Sequence, residues 1–270
     1  ISYYNRYGDL PISIDYIIQG IKDYLNSTST NSIINPHGRW EFVRYSSVYG
    51  VEVYKNIYYY LETFLAQNPD KTDTHPLHVC HEHKQIMLMR IKRLAQMGYI
   101  RYPQYIYTNY KKAVKYALLA KNLHTKYIIT KDSKLIERIV ESTKKAEILD
   151  RCVLNFLIKN INTRYDLQPV IIDEDLEDCP FEFEATVKKE SCVFLRNSDI
   201  LTDDSLLWTS NNNDVCTLDV ESTKTETLLY HRKPGTAVLQ AVNEKGDIVM
   251  VCKCTCIDSD HNNIAFFIYS

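Results

Sequence analysis

Through the first 165 residues, apolar side chains recur every three or four positions, the rhythm of helices with one buried face. Residues 12–25 carry Ile12, Ile14, Ile17, Ile18, Ile21 and Leu25 in that register, and 49–65 carry Tyr54, Ile57, Tyr58, Leu61 and Leu65. The Asn68-Pro69-Asp70 break follows. A third helix is expected over 84–97, from Ile86, Leu88, Met89, Ile91, Leu94 and Met97, with Gly98 suited to the position just past its end. Pro103 then reads as closing the connection, and residues 110–123 and 133–159 supply further helices. The Ser/Thr/Asn-rich stretch 26–33 reads as a loop.

After Asn160 the period changes to two. Short candidate strands lie at 170–172, 181–187, 192–195, 206–208, 215–220, 227–230, 237–242 and 248–257. Loops rich in Asp, Asn, Gly and Pro separate them at roughly 8–12-residue intervals, the spacing of an all-β sandwich. The expected fold class is therefore α+β in two parts: a mainly helical assembly domain over 1–165 and an antiparallel β-sandwich over 166–270.

In the second part, Leu206-Leu207-Trp208-Thr209-Ser210-Asn211-Asn212-Asn213-Asp214-Val215-Cys216-Thr217-Leu218-Asp219 resembles the tryptophan-containing core of the bacterial Ig-like group 2 family. Lys233-Pro234-Gly235-Thr236-Ala237-Val238-Leu239-Gln240-Ala241 resembles its Gly-Thr-Ala strand, and Asn243-Glu244-Lys245-Gly246 followed by 248–257 resembles its last hairpin. Cys216 stands where the family has a small alanine, and 221–227 lacks the family's glycine turn. In an Ig-like sandwich Trp208 would plug the space between the sheets, Gly235 would turn the chain where a side chain clashes, and Gly246 would supply positive φ in a tight hairpin.

The resemblance implies contact rather than catalysis, so neither enzyme activity nor a cofactor is expected. Such domains occur in bacterial surface adhesins and in phage capsid, neck and tail proteins. A single Ig-like domain, a helical partner, and a first stretch without the charged-then-apolar order of a signal peptide favour a virion component. The expectation is a homo-oligomer made in the host cytoplasm, located in the virion, and contacting other virion proteins, with no membrane partner. A bacterial surface or adhesion protein is the alternative. With 21 tyrosines, whose rings are apolar and whose hydroxyls tolerate water, some are expected in subunit contacts.

Charge and chemistry adjust this picture only locally. A net charge of −2 gives no global pull toward nucleic acid. Lys84, Arg90, Lys92 and Arg93 nevertheless cluster on one predicted helix that, with Gly98-Tyr99-Ile100 after it, resembles the recognition helix and wing of a winged-helix domain. They are candidate phosphate contacts, with Tyr102, Tyr105 and Tyr107 as stacking surfaces, so DNA binding is a rival function. His75, His78, Cys80 and His83 are a candidate zinc set, but the spacing fits no standard site, and a polar loop capped by Asp73 or Thr74 is the simpler expectation. Cys252, Cys254 and Cys256 share one strand face and read as reduced, core-filling thiols. The acidic run from Asp173 to Asp178 reads as a solvated loop. Neither a glycine-rich phosphate loop nor a nucleophile elbow is present in the sequence.

Overall fold

The computed structural model describes residues 14–28, 48–161, 167–189, 192–196, 206–219 and 226–258. They form two compact units. One draws on the chain up to Arg101 and on Tyr110–Ile171; the other combines Tyr102–Asn109 with the chain from Ile172 onward. The change of period near 165 thus lies close to the change of unit. The assignment of residues 102–109 to the second unit is not visible in the period.

In the first unit, α1 (Ile14–Asn26) leads to α2 (Val53–Tyr59), which runs through a π-helical turn (Tyr60–Phe64) into α3 (Leu65–Gln67). Then come α4 (His75–Gln96), α5 (Pro103–Thr130) and α6 (Lys134–Asn160). Their core gathers Tyr54, Ile57 and Leu61 with Leu77, Leu123 and Ile139, every one buried. Residues 12–13 and most of the loop expected at 26–33 lie outside the described residues.

Three helix boundaries differ clearly from the expectation, one of them the end of α5, which runs on to Thr130 rather than 123. Helix α4 begins nine residues earlier than the predicted 84, so the histidine-rich stretch is helical rather than a loop; Asp73 Oδ1 accepts the His75 N–H at 2.9 Å and starts it. Pro103 does not close a connection but opens α5, where its missing N–H costs nothing. No wing follows α4: the chain goes from Gly98 through an isolated bridge between Ile100 and Ile161 directly into α5.

Gly98 ends α4 as expected. It has φ +72°, its N–H reaches the Ala95 carbonyl, and the Tyr99 N–H reaches that of Leu94, the paired bonds of a Schellman motif. Ser27 closes α1 with the same two bonds.

In the second unit a four-stranded sheet has the order β1-β7-β6-β3 and a three-stranded sheet the order β2-β5-β4. The strands are β1 (Phe181–Lys188), β2 (Cys192–Arg196), β3 (Leu207–Ser210), β4 (Cys216–Leu218), β5 (Glu226–His231), β6 (Gly235–Val242) and β7 (Ile248–Ile257). Residues 170–172 form no strand, although three consecutive β-branched residues stand there. The expectation of a wholly antiparallel arrangement is also corrected. β1 runs parallel to β7, from Phe181 beside Met250 to Lys188 beside Ile257, whereas the other described pairings are antiparallel. Alternation along β1 and β7 buries Phe181, Phe183, Ala185 and Val187 against Met250 and the cysteines of β7, leaving Lys253 and Thr255 outward.

Trp208 is half-buried on the inward side of β3, opposite the buried Ala241, while Leu229, Leu239 and Cys216, all at 0% exposure, fill the rest of the interior. Gly235 has φ +150°, and a Cβ there would meet Val215 Cγ2 at 2.9 Å; Gly246 has φ +89° in the turn joining β6 to β7. Gln104 holds the acidic loop in place: its side chain donates to the Asp173 carbonyl at 2.8 Å and accepts the Asp173 N–H at 2.9 Å.

The Gly98 turn yields a direct prediction. A Cβ on Gly98 would lie 2.3 Å from the Leu167 carbonyl oxygen, on a backbone already at positive φ. Gly98→Ala is expected to lower unfolding free energy by about 1–3 kcal/mol in urea titration.

Candidate functional site

The feature on which four helices of the first unit converge is a buried ion pair. Lys84 of α4 donates to Asp150 Oδ2 of α6 at 2.6 Å, with both side chains almost wholly enclosed (2% and 0% exposed). The Tyr24 hydroxyl of α1 also donates to Asp150 Oδ2 at 2.6 Å and accepts from Lys84 at 2.6 Å. The Tyr110 hydroxyl of α5 donates to Asp150 Oδ1 at 2.7 Å. The carboxylate therefore receives three donors and the ammonium two strong acceptors. Lys84 also lies 4.9 Å from the centre of the Tyr24 ring and 5.3 Å from that of Tyr54, where ring faces attract a cation. Burial and the neighbouring Asp150 push the Tyr24 and Tyr110 hydroxyls far above their usual range, which keeps them neutral donors.

Both charged residues sit on the apolar stripes of their helices. Lys84 continues the buried row Leu77, His81, Met87 and Ile91, and Asp150 continues Ile139, Thr143, Ala146 and Leu157. Opposite charges on two largely apolar stripes were the sequence signal for this pair. Lys84, expected on a phosphate-binding face, is instead internal, its ammonium enclosed beside Asp150. Arg90 and Arg93 are exposed, and Lys92 is half-buried. Tyr105 and Tyr107, candidate stacking surfaces, are buried, so their rings offer no face to a base. Ile86 and Met89, predicted core residues of α4, are exposed at 45% and 61%; the buried face runs through Met87 instead.

The candidate zinc residues scatter around α4. His78 pairs with Glu82 at 3.0 Å. His83 stacks on Tyr24 with ring centres 4.9 Å apart and turns Nδ1 toward Lys84 at 3.5 Å. Cys80 lies near Tyr54, its thiol pushed up by burial. Among those residues no group of three or more His, Cys, Asp or Glu side chains is placed to hold a metal ion.

Beside the ion pair opens a hollow of about 460 Å³ between α2 and α4. Tyr24, Tyr54 and Ile57 wall it, with Lys84 and His83 among its lining residues, while Val48, Tyr49, Val53 and Val79 line it and remain 38–49% exposed. The charge of Lys84 is answered by Asp150. His83 is neutral near pH 7, because burial first and Lys84 second lower its pKa to about 4. The hollow is thus apolar in walls and electrically balanced in its lining.

In the β unit, the inward cysteines form a second cluster. Cys254 and Cys256 sulfurs are 3.9 Å apart, and Cys216 reaches them from the three-stranded sheet. The hydrogen bond with Cys254 lowers the Cys216 thiol, whereas burial raises Cys252 to about 12. All four are free thiols. Among the described residues no helix is long and apolar enough to cross a membrane. Compared with protein-family models and with curated proteins, the chain matches none.

Two predictions follow from the ion pair and its neighbour. Lys84→Met leaves Asp150 buried without its cation and is expected to cost about 3–5 kcal/mol; adding Asp150→Asn should recover part of that loss, measured as a double-mutant cycle by denaturant unfolding. For His83, the folded pKa of about 4 lies below the ordinary 6.5. Between those values the unfolded chain binds more protons, so stability is complete above pH 6.5 and falls as pH drops toward 4. His83→Phe, which preserves the stack on Tyr24, should flatten the decline of Tm between pH 6.5 and 4. A residual slope should remain from His81 and His124, which burial also lowers.

Proposed function

We propose that the chain is a structural, multimerising component of a bacteriophage particle, in its neck, tail ring or capsid-associated layer. In this reading the helical unit assembles with copies of itself, and the β unit serves as an Ig-like contact module. The observation that carries it is the balanced apolar hollow with its exposed rim of Val48, Tyr49, Val53 and Val79. Large apolar side chains grouped around a concavity lose unfavourable hydration when a neighbour covers them. Because the charge among the lining residues is compensated within the chain, an incoming apolar side chain meets no unpaired ion.

The ion pair supports the same role. Its groups are spent on one another, which suits a rigid assembly block with fixed helix registers. For the β unit, the support is the resemblance of 206–257 to the Ig-like family, together with two sheets whose inward positions alternate with outward polar ones. The assignment to a phage rests on that resemblance by analogy. DNA contact is the weaker reading, since Lys84 is internal and Tyr105 and Tyr107 are buried.

Native mass spectrometry of the purified chain tests the proposal. A closed oligomer is expected at micromolar concentration, and a Val53→Asp/Val79→Asp variant should weaken it at least about a hundredfold by burying charge in the contact. A monomer across the whole concentration range would overturn the assembly role.

A further inference from the structure

A second concavity, of about 520 Å³, lies between α1 and α4. It owes part of its width to Gly20: a Cβ built there meets nothing within 4 Å, so α1 presents bare backbone to open space. Ile17 and Ile21 of α1 face Met87, Ile91 and Leu94 of α4 across it, and Leu157 of α6 also lines it. The volume falls within the roughly 300–1,000 Å³ typical of small-ligand sites.

Its polar groups are unevenly distributed. Arg90 and Arg93, three residues apart on α4 and therefore on one face, both line the groove and are exposed. Among the described residues neither guanidinium has a hydrogen-bond or ion-pair partner. Among the described residues the one carboxylate in the lining, Asp23, is engaged elsewhere: it accepts from the Gln19 side chain at 2.8 Å and from the Thr28 hydroxyl at 3.4 Å. The nearby Lys84 is already paired with Asp150. An apolar slot with two unpaired guanidiniums at its edge has a definite complement. Guanidinium forks match the two oxygens of a carboxylate, and the slot takes up a hydrocarbon chain.

We propose that this groove binds an aliphatic carboxylate, with its chain between α1 and α4 and its head group on Arg90 and Arg93. A polyanionic nucleic acid fits less well, because two cations over an apolar slot serve one anionic head and not a row of phosphates. The groove shares Tyr24 and His83 with the hollow between α2 and α4, but Gly20, Arg90 and Arg93 line only the groove, so the proposal can hold whether or not the assembly role does.

Isothermal titration of the full chain with decanoate, decanol and decyltrimethylammonium, each below its aggregation concentration, tests the proposal. Saturable one-to-one binding of decanoate is expected, at least about tenfold tighter than decanol, with no binding of the cation. Arg90→Gln/Arg93→Gln should weaken decanoate by about tenfold or more and leave decanol unchanged. Gly20→Leu should abolish binding of both by filling the slot. Because leucine favours a helix more than glycine does, its circular dichroism and Tm should match or exceed those of the wild type. Absence of saturable decanoate binding, an affinity unmoved by the arginine substitutions, or binding that survives Gly20→Leu would each overturn the proposal. Uptake of an acidic peptide but not decanoate would overturn it too.

Discussion

A lysine and an aspartate sealed away from water are tolerable only in each other's company. Removing two such charges from water costs several kcal/mol per ion, offset only when geometry and hydrogen bonds are both good. Here Lys84 comes from α4, Asp150 from α6, Tyr24 from α1 and Tyr110 from α5. Each helix supplies one group, so sliding or rotating any of them by a residue would leave a buried charge or hydroxyl unanswered. Apolar packing alone tolerates such slips far better, because one leucine can stand in for another. The ion pair therefore acts as a register pin for four helices.

Its electrostatics also shape the surfaces around α4. Lys84 is drawn inward, which divides the basic stretch and leaves Arg90 and Arg93 as its outward part. His83, pressed between Tyr24 and Lys84, stays neutral, and Asp150 answers the charge that Lys84 brings to the adjoining hollow. One helix thus borders two unlike concavities: an apolar, balanced one toward α2 and a cationic-edged one toward α1. In the β unit a comparable interior is made from thiols, and Cys216 meets the β7 cysteines where an alanine would leave space. There the filling is compact and weakly polar, and no ion is needed to hold it.

Much of this could be read residue by residue. The alternation in 248–257 corresponds to β7 residue for residue, 181–187 misses the end of β1 by one, and Gly98 closes α4. The failures have physical causes. The start of α4 was hidden because His81 and Lys84 occupy stripe positions that look polar; the burial of Lys84 depends on partners 60 and 66 residues away. The opening of α5 was hidden by Pro103, which reads as a stop although it is equally suited to a first turn. Ile86 and Met89 look like core but face outward, because the pin rotates α4 so that Met87 and Lys84 point in.

Local chemistry along the chain is enough to set where helices give way to strands, which glycines end or turn them, and which strand faces are apolar. Those properties depend on periodicity and on steric rules acting over a few residues. Partner choice lies beyond that reach. That β1 runs parallel beside β7, that Lys84 answers Asp150 rather than a phosphate, and that Arg90 and Arg93 edge a groove opened by Gly20 are decided only when distant segments meet. The reason is energetic: the cost of burying a charge or leaving a donor unpaired is defined by what surrounds it, and those surroundings exist only in the folded chain.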